Sequence, residues 1–221
     1  LVSVAVFGAG FSVYSWFEGK KEAAAQSELY LAQKSLQDLQ KSFRDDPKAV
    51  AEAEKKDTPP PATKTKSGDL EKDLGPAVAQ LEGVVAKHKG TRASVLAALE
   101  LAPLYLEYKK PELAISALEK SQKAVSQKEF LAGFVQLRLG DAQQAQGKCD
   151  VAVQTWKVVS DAKDLTFLHS EALLRQGLCF ESLNQGNQAA QVYQKLSADY
   201  AATEAGRTAK TFLRLIKNAS N

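Results

Sequence analysis

Three stretches of the chain repeat one spacing of small and large residues at an interval of 37 to 38 positions. In each stretch a small residue precedes a larger side chain by three positions, and after a break an alanine precedes a large residue by four. Repeats of this length are typical of helical hairpins stacked one on another. The matched positions are Ala102, Tyr105, Ala114 and Leu118, then Gly140, Gln143, Ala152 and Trp156, then Gly177, Phe180, Ala189 and Tyr193.

The small residues in this pattern have a packing role. Small side chains on the first helix of a hairpin let the second helix approach closely, and the large residue fills the groove between neighbouring hairpins. A single hairpin cannot bury its apolar faces, so hairpins stack into a solenoid. The pattern therefore predicts an all-α fold with a repeat domain over residues 69–221, closed by a capping helix over about 201–217.

The remaining apolar spacing supports a helical interpretation from Gly75 onward, because no stretch alternates with a period of two. Glycine and proline punctuate helices, so they mark where one helix ends and the next begins. Breaks are expected at Gly90, Lys110-Pro111, Gly147, Gly186 and Gly206.

The first 17 residues carry no charge and end in an aromatic cluster of Tyr14, Trp16 and Phe17. A helix of this length is about 25 Å long, close to the roughly 30 Å of a bilayer core. Aromatic side chains favour the boundary between bilayer and water. Since the chain contains no methionine, we expect the apolar run to begin before Leu1. The pattern predicts a transmembrane anchor over residues 1–17, truncated at its start.

Two other interpretations of this run stay open at this point. A cleaved signal peptide would need small residues at a cleavage site, and the run ends instead in Tyr-Ser-Trp-Phe-Glu. A buried core helix would place Trp16 and Phe17 directly beside charged residues. Lys20 and Lys21 would favour a cytoplasmic C-terminal side, but that comparison also requires the opposite flank.

Two segments of different character follow the apolar run. Residues 18–44 have apolar side chains near helical spacing, with Lys, Gln and Glu between them, and predict a long amphipathic helix. Residues 45–68 are charged, contain Pro59-Pro60-Pro61 and carry little apolar surface, so they predict a flexible loop.

The repeats resemble the tetratricopeptide repeat, whose pattern is small–aromatic on the first helix and Ala–aromatic–Ala on the second. The resemblance covers about residues 75–217, and the stretch from Gln176 to Lys210 carries it best. The order of these segments looks like that of the ancillary SecYEG translocon subunit family. An apolar helix comes first, a second helix continues from it, and repeats extend to the C-terminus. Members of that family are membrane-anchored periplasmic tetratricopeptide proteins.

The resemblance implies a location and a class of partner. The chain would cross the inner (cytoplasmic) membrane once, through residues 1–17, and place its repeat domain in the periplasm. Its partners would be other proteins or peptide segments, such as translocon subunits or envelope chaperones. The formal net charge of +3 gives no reason to expect nucleic acid as a partner.

Sequence motifs for catalysis or cofactor binding are absent. The chain has no phosphate loop, no serine-hydrolase elbow, no H-E-x-x-H and no C-x-x-C. Two histidines leave little for metal or acid–base chemistry, so neither a cofactor nor a metal is expected. Cys149 and Cys179 fall in different hairpins, where they are either small core residues or, in an oxidising compartment, a disulfide between hairpins.

A partner-binding groove is expected on the first helices of successive hairpins. Arg138 and Arg175 recur at matched positions, and paired arginines can bind an acidic peptide. The alternatives are that these arginines belong to an ordinary solvated surface or that they pair within the protein, with Glu171 or Asp141. The candidate groove residues are Leu99, Arg138, Asp141, Glu171, Arg175 and Glu181.

The sequence thus favours a non-catalytic, membrane-tethered scaffold for protein interactions, since a solenoid offers a long binding face and no catalytic group is apparent. The alternative is a self-assembling structural component of a cell-envelope complex. An enzyme is not expected.

Overall fold

The computed structural model describes residues 2–43, 64–122 and 130–219, with side chains described from residue 19 to residue 217 of those ranges. Within these ranges the chain forms nine α-helices, one 3-10 helix and no strand, which confirms the predicted all-α class. The helices are α1 (Val2–Lys41), α2 (Leu70–Lys87), α3 (Arg92–Glu107), α4 (Pro111–Gln122), α5 (Phe130–Ala145), α6 (Cys149–Asp161), the 3-10 helix (Lys163–Leu165), α7 (Thr166–Ser182), α8 (Gly186–Asp199) and α9 (Glu204–Ala219).

The chain divides into two compact units, residues 1–101 and 102–221. The first unit contains α1, α2 and the start of α3. The second contains the end of α3 and α4 to α9.

In the first unit, the segments predicted as an anchor and as an amphipathic helix form the single helix α1. Its buried side chains, Ala25, Leu29, Ala32 and Leu36, recur at intervals of three and four, so they form one stripe that packs on α2. The side chains of residues 1–18 lie outside the described part. No helix among the described residues combines the length and the apolar character needed to cross a membrane.

The helix pair α1–α2 is joined through the segment predicted as a loop. Residues 44–63 lie outside the described part of the chain. On either side of them, the Lys64 amide donates a hydrogen bond of 3.1 Å to the Ser42 carbonyl. The start of α2 is capped by the Asp69 carboxylate, which accepts from the amides of Glu71 and Lys72.

The start of α3 is capped by two side chains, that of Thr91 directly before the helix and that of Glu22 on α1. The Thr91 hydroxyl accepts a hydrogen bond of 3.1 Å from the Ser94 amide, as an ordinary N-cap does. The two amides before it donate to the carboxylate of Glu22 on α1, at 2.9 Å from Arg92 and 3.1 Å from Ala93. Three free N–H groups of this helix end are therefore satisfied.

In the second unit, each helix from α4 to α9 packs against the next one in sequence. Three of the first-helix ends have the same turn, in which a residue with positive φ follows the helix. These residues are Lys109 (φ 55°), Gly147 (φ 77°) and Asn184 (φ 57°), spaced by 38 and 37 positions.

The hydrogen bonds of these turns repeat as well. The amide that follows the positive-φ residue donates to a carbonyl five positions earlier, from Lys110 to Tyr105, from Lys148 to Gln143 and from Gln185 to Phe180. The turn after α7 is therefore in register with the other two. Asn184, and not Gly186, takes the left-handed position that Gly147 takes after α5, and Gly186 begins α8.

Cys149, at the start of α6, and Cys179, on α7, form a disulfide across 30 residues of sequence. Both lie in a buried apolar cluster with Trp156. Of the two interpretations left open by the sequence, the structure therefore shows the bond between neighbouring hairpins.

The last helix, α9, closes the second unit by packing on α8 and α7, where the sequence predicts a capping helix. The predicted break at Gly206 is wrong, because Gly206 lies inside α9. A Cβ at this position would overlap the carbonyl of Tyr200, so the glycine permits close backbone contact.

Candidate partner-binding face

The first helices of two successive hairpins, α5 and α7, carry residues at matched positions 37 apart, Phe130 with Phe167 and Arg138 with Arg175. Along α5, Phe130, Phe134 and Arg138 are each one helical turn apart, so they share one side of the helix. Side-chain contacts join this side of α5 to α7. We define the "α5/α7 face" as Phe130, Phe134, Arg138 and Asp141 on α5 with Phe167, Glu171 and Arg175 on α7.

The polar half of the α5/α7 face is a chain of four paired charges. Asp141 accepts from Arg175 Nε at 2.6 Å through Oδ1 and from Arg138 Nη1 at 3.2 Å through Oδ2. Arg175 Nη1 in turn donates to the Glu171 carboxylate. Two cations and two anions therefore balance one another on the surface.

Arg175 is the more enclosed of the two arginines. Its side chain is 20% exposed, against 44% for Arg138. Burial acts to lower the pKa of Arg175, but the charge and hydrogen bond of Asp141, followed by those of Glu171, outweigh it and raise that pKa above its ordinary value. Arg175 thus holds α5 and α7 together as a permanent cation.

The structure therefore pairs the recurring arginines within the protein, which is one of the alternatives that the sequence left open. The two other candidate groove residues lie apart from this network. Leu99 is half-buried on α3 in the first unit. Glu181 lies near the end of α7, where its charge acts on the hydroxyl of Tyr193.

The apolar half of the α5/α7 face is a group of three exposed phenylalanines. Phe130, Phe134 and Phe167 are 59%, 37% and 55% exposed. The ring of Phe134 lies 6.5 Å from that of Phe130 and 6.0 Å from that of Phe167, measured between centroids. These are distances of aromatic contact, so the three rings form one patch.

This patch is not among the groove residues predicted from the sequence, although the sequence contains a signal for it. Phe167 follows Phe130 by 37 residues, the same interval that separates Gly140 from Gly177. An aromatic residue that recurs with the repeat, but outside the small–large packing positions, is a candidate for the surface.

The predicted packing residues lie where neighbouring helices approach each other closely. A Cβ on Gly140 would overlap the indole of Trp156, and one on Gly177 would overlap the ring of Tyr193. The aromatic residue of each second helix therefore occupies the space that the glycine leaves on the first helix. Phe180 is half-buried against two apolar clusters. The remaining packing positions are buried, namely Ala102, Tyr105, Ala114, Leu118, Ala152 and Ala189.

The chemistry of the α5/α7 face suits binding more than catalysis. Its charges are paired with one another, and three exposed phenylalanines lie beside them. No group of three or more His, Cys, Asp or Glu side chains in the described residues could hold a metal ion.

Comparison with known proteins identifies the repeats. Residues 1–174 match the family model of the tetratricopeptide repeat-like domain, and residues 171–203 match that of the tetratricopeptide repeat. No curated protein matches the chain.

Two solved structures of TPR-like repeats from a Podosopora anserina kinesin light chain are similar in fold, one of them a variant of the other. They are 17% and 16% identical to the chain, with TM-scores of 0.57 and 0.58. The matches cover 90% of this chain and 88% and 87% of those chains. At this identity the likeness shows the fold alone.

Proposed function

Because the chain belongs to the tetratricopeptide repeat-like domain family, we propose that it is a non-catalytic scaffold for protein interactions and that its α5/α7 face binds a segment of a partner protein. The observation that carries this proposal is the patch of Phe130, Phe134 and Phe167, three neighbouring aromatic side chains that remain exposed.

Exposed aromatic surface is unfavourable in water, and a partner that covers it lowers the free energy. Apolar surface gains about 25 cal/mol for each Å² that is buried, and aromatic residues dominate the energetics of protein interfaces. Arg138 and Glu171 border the patch with 44% and 49% of their side chains exposed. Both can still bond polar groups of a partner segment, which gives the face a polar rim.

We also propose that residues 1–17 tether the scaffold to the inner membrane, with the repeats in the periplasm, where it assists protein translocation or envelope chaperones. Two observations support this. The run is uncharged and ends in aromatic residues, and a disulfide such as Cys149–Cys179 persists in an oxidising compartment. A tether would raise the effective concentration of the binding face near membrane partners.

The binding face can be tested with two matched pairs of substitutions. Phe130→Ser with Phe167→Ser removes the ends of the aromatic patch. Val151→Ser with Val158→Ser changes exposed apolar residues on α6, which are 42% and 59% exposed. Partners are captured by crosslinking in native membranes, and melting temperatures serve as the control for folding.

We expect the phenylalanine pair to lose capture of the partner and the valine pair to keep it, with little change in either melt. Equal capture by both pairs would overturn the assignment of the face. The tether is tested by deleting residues 1–17, which should move the protein from the membrane pellet to the supernatant. Continued sedimentation with membranes, or capture of further copies of this chain alone, would contradict the tethered-scaffold proposal.

A further inference from the structure

The outward side of α9 carries four cations in a single row. Arg207, Lys210, Arg214 and Lys217 follow one another at intervals of three, four and three residues, which places them on one side of a helix. All four are exposed. The row is about 15 Å long, at 1.5 Å of rise for each residue. We call it the "α9 basic row".

The opposite side of α9 is fixed in the protein core. Ala205 and Ala209 are buried, and Phe212 packs in the same apolar cluster with its ring 5.3 Å from that of Tyr193. The orientation of the α9 basic row toward solvent is therefore set by packing.

The α9 basic row differs from the outward sides of the helices before it. On α6, Lys157 pairs with Asp161, and on α8, Lys195 pairs with Asp199, both at 2.6 Å. On α5 and α7, Arg138 and Arg175 likewise pair with the carboxylates of Asp141 and Glu171. A capping helix needs only a polar outer side for solubility, and mixed charges would provide it. The row instead has one sign and no carboxylate partner in the described residues.

We propose that the α9 basic row is a second interaction surface, which binds an acidic segment of a partner protein. Charge complementarity determines the partner's sign. Carboxylates at intervals of three and four on a partner helix would face the row along its whole length.

An anionic membrane fits the row less well. Helices that bind membranes insert their apolar side, and the apolar side of α9 is packed on the core. Nucleic acid also fits less well, since the net charge of the chain is only +3. This inference does not depend on the α5/α7 face.

The test uses the full chain and a fluorescent 12-residue helical peptide with glutamates at intervals of three and four. Lys210→Glu with Arg214→Glu reverses the centre of the row. Lys120→Glu with Lys163→Glu makes the same change in net charge at exposed residues elsewhere in the second unit. A milder pair, Lys210→Gln with Arg214→Gln, covers the case in which the reversed pair fails to fold.

We expect the reversed pair to bind the peptide at least about tenfold more weakly than the wild type, and the glutamine pair about threefold more weakly. The pair at Lys120 and Lys163 should stay within about twofold, and raised salt should weaken the wild type.

Equal weakening in both reversed pairs would overturn the proposal, because net charge alone would then explain the binding. So would a wild type that does not bind the peptide at millimolar concentration. A change in binding to phosphatidylglycerol vesicles or to duplex DNA, with none for the peptide, would assign the row to lipid or nucleic acid and would also overturn it.

Discussion

The hairpin α5–α6 and the hairpin α7–α8 solve the same packing problem with different polar chemistry. In both, an aromatic ring of the second helix lies in the space above a glycine of the first. The indole N–H of Trp156 donates to the Leu137 carbonyl at 3.1 Å, whereas the buried hydroxyl of Tyr193 makes no hydrogen bond of good geometry to the described residues, Glu181 included. Both hairpins therefore have an aromatic ring at this position, and the neighbouring residues determine whether the polar atom of the ring is hydrogen-bonded.

The matched arginines differ in a similar way. Arg175 reaches Asp141, one helix earlier, but the residue that corresponds to Asp141 in the preceding copy is Pro103. Arg138 consequently has no carboxylate from that position, and among the described residues it pairs with Asp141 on its own helix. The same repeat position can thus link two helices in one hairpin and remain half-exposed in another.

The largest effect is expected from removing the bond that joins the two hairpins. Cys149→Ala with Cys179→Ala opens a link across 30 residues, and links of that length contribute about 2–4 kcal/mol. Thermal melts should show a drop of roughly 5–15 °C. A reducing agent should lower the melt of the wild type and leave that of the variant unchanged. If reduction changes neither melt, the bond does not contribute to stability.

The next largest effect tests whether the two glycine positions are equivalent. Gly140→Ala and Gly177→Ala each place a methyl group against an aromatic ring, and overpacking costs about 1–3 kcal/mol. Gly83→Ala on α2 is the matched control, since a Cβ there meets nothing within 4 Å and alanine favours a helix by about 0.5–1 kcal/mol. Urea denaturation compares the three, and a neutral result at Gly140 or Gly177 would show that the ring can move aside.

Substitutions of the two matched arginines should differ in their effect on the free energy of unfolding, but by a smaller amount. Arg175→Ala leaves a carboxylate that is 15% exposed with one cation fewer, so we expect a loss of about 1–2 kcal/mol. Arg138→Ala removes a more exposed pair and should cost under about 0.5 kcal/mol. Equal losses in urea denaturation would mean that Asp141 depends on both arginines alike.

The smallest effect concerns the buried hydroxyl of Tyr193. Tyr193→Phe removes a buried hydroxyl that makes no hydrogen bond to the described residues, so stability near neutral pH should stay equal or rise by up to about 1 kcal/mol. The matched change Trp156→Phe removes a hydrogen bond as well as volume and should destabilise. A loss of stability in Tyr193→Phe would reveal an acceptor for the hydroxyl.

The same residue predicts a difference at alkaline pH. Burial, followed by the charge of Glu181, raises the pKa of Tyr193 in the folded protein. In the unfolded chain the pKa of this hydroxyl is about 10. Above that pH the unfolded chain loses the proton more readily than the folded protein, so the free energy of unfolding falls as the pH rises. Urea denaturation from pH 9 to 11 should therefore show a smaller loss of stability in Tyr193→Phe than in the wild type, and parallel curves would contradict the shifted pKa.

The sequence was sufficient for the repeat because packing depends on residue size at fixed spacing. Gly140 and Gly177 could be identified as close-approach positions without coordinates. Gly206 was predicted to be a break between helices, but it lies inside one. The local sequence pattern does not distinguish a glycine that ends a helix from a glycine that lets a neighbouring backbone approach a helix.

The candidate site was harder to predict because its parts come from separate helices. Asp141, the partner that Arg175 reaches on the other helix, is 34 residues away, and whether the two side chains meet depends on the stagger of α5 and α7. Exposure of Phe130 and Phe167 could not be inferred from composition, since phenylalanine is usually a core residue. Only their recurrence with the repeat distinguishes them.

The capping of α3 has a consequence for the order in which the protein assembles. Glu22 lies 70 residues before Arg92, so its carboxylate reaches the two amides only after α1 has docked. Until then the first turn of α3 has the hydroxyl of Thr91 as its cap. Closing so long a loop is slow compared with forming a helical turn. The start of α3 should therefore mature late in folding, with its final hydrogen bonds reporting that the N-terminal helix has arrived.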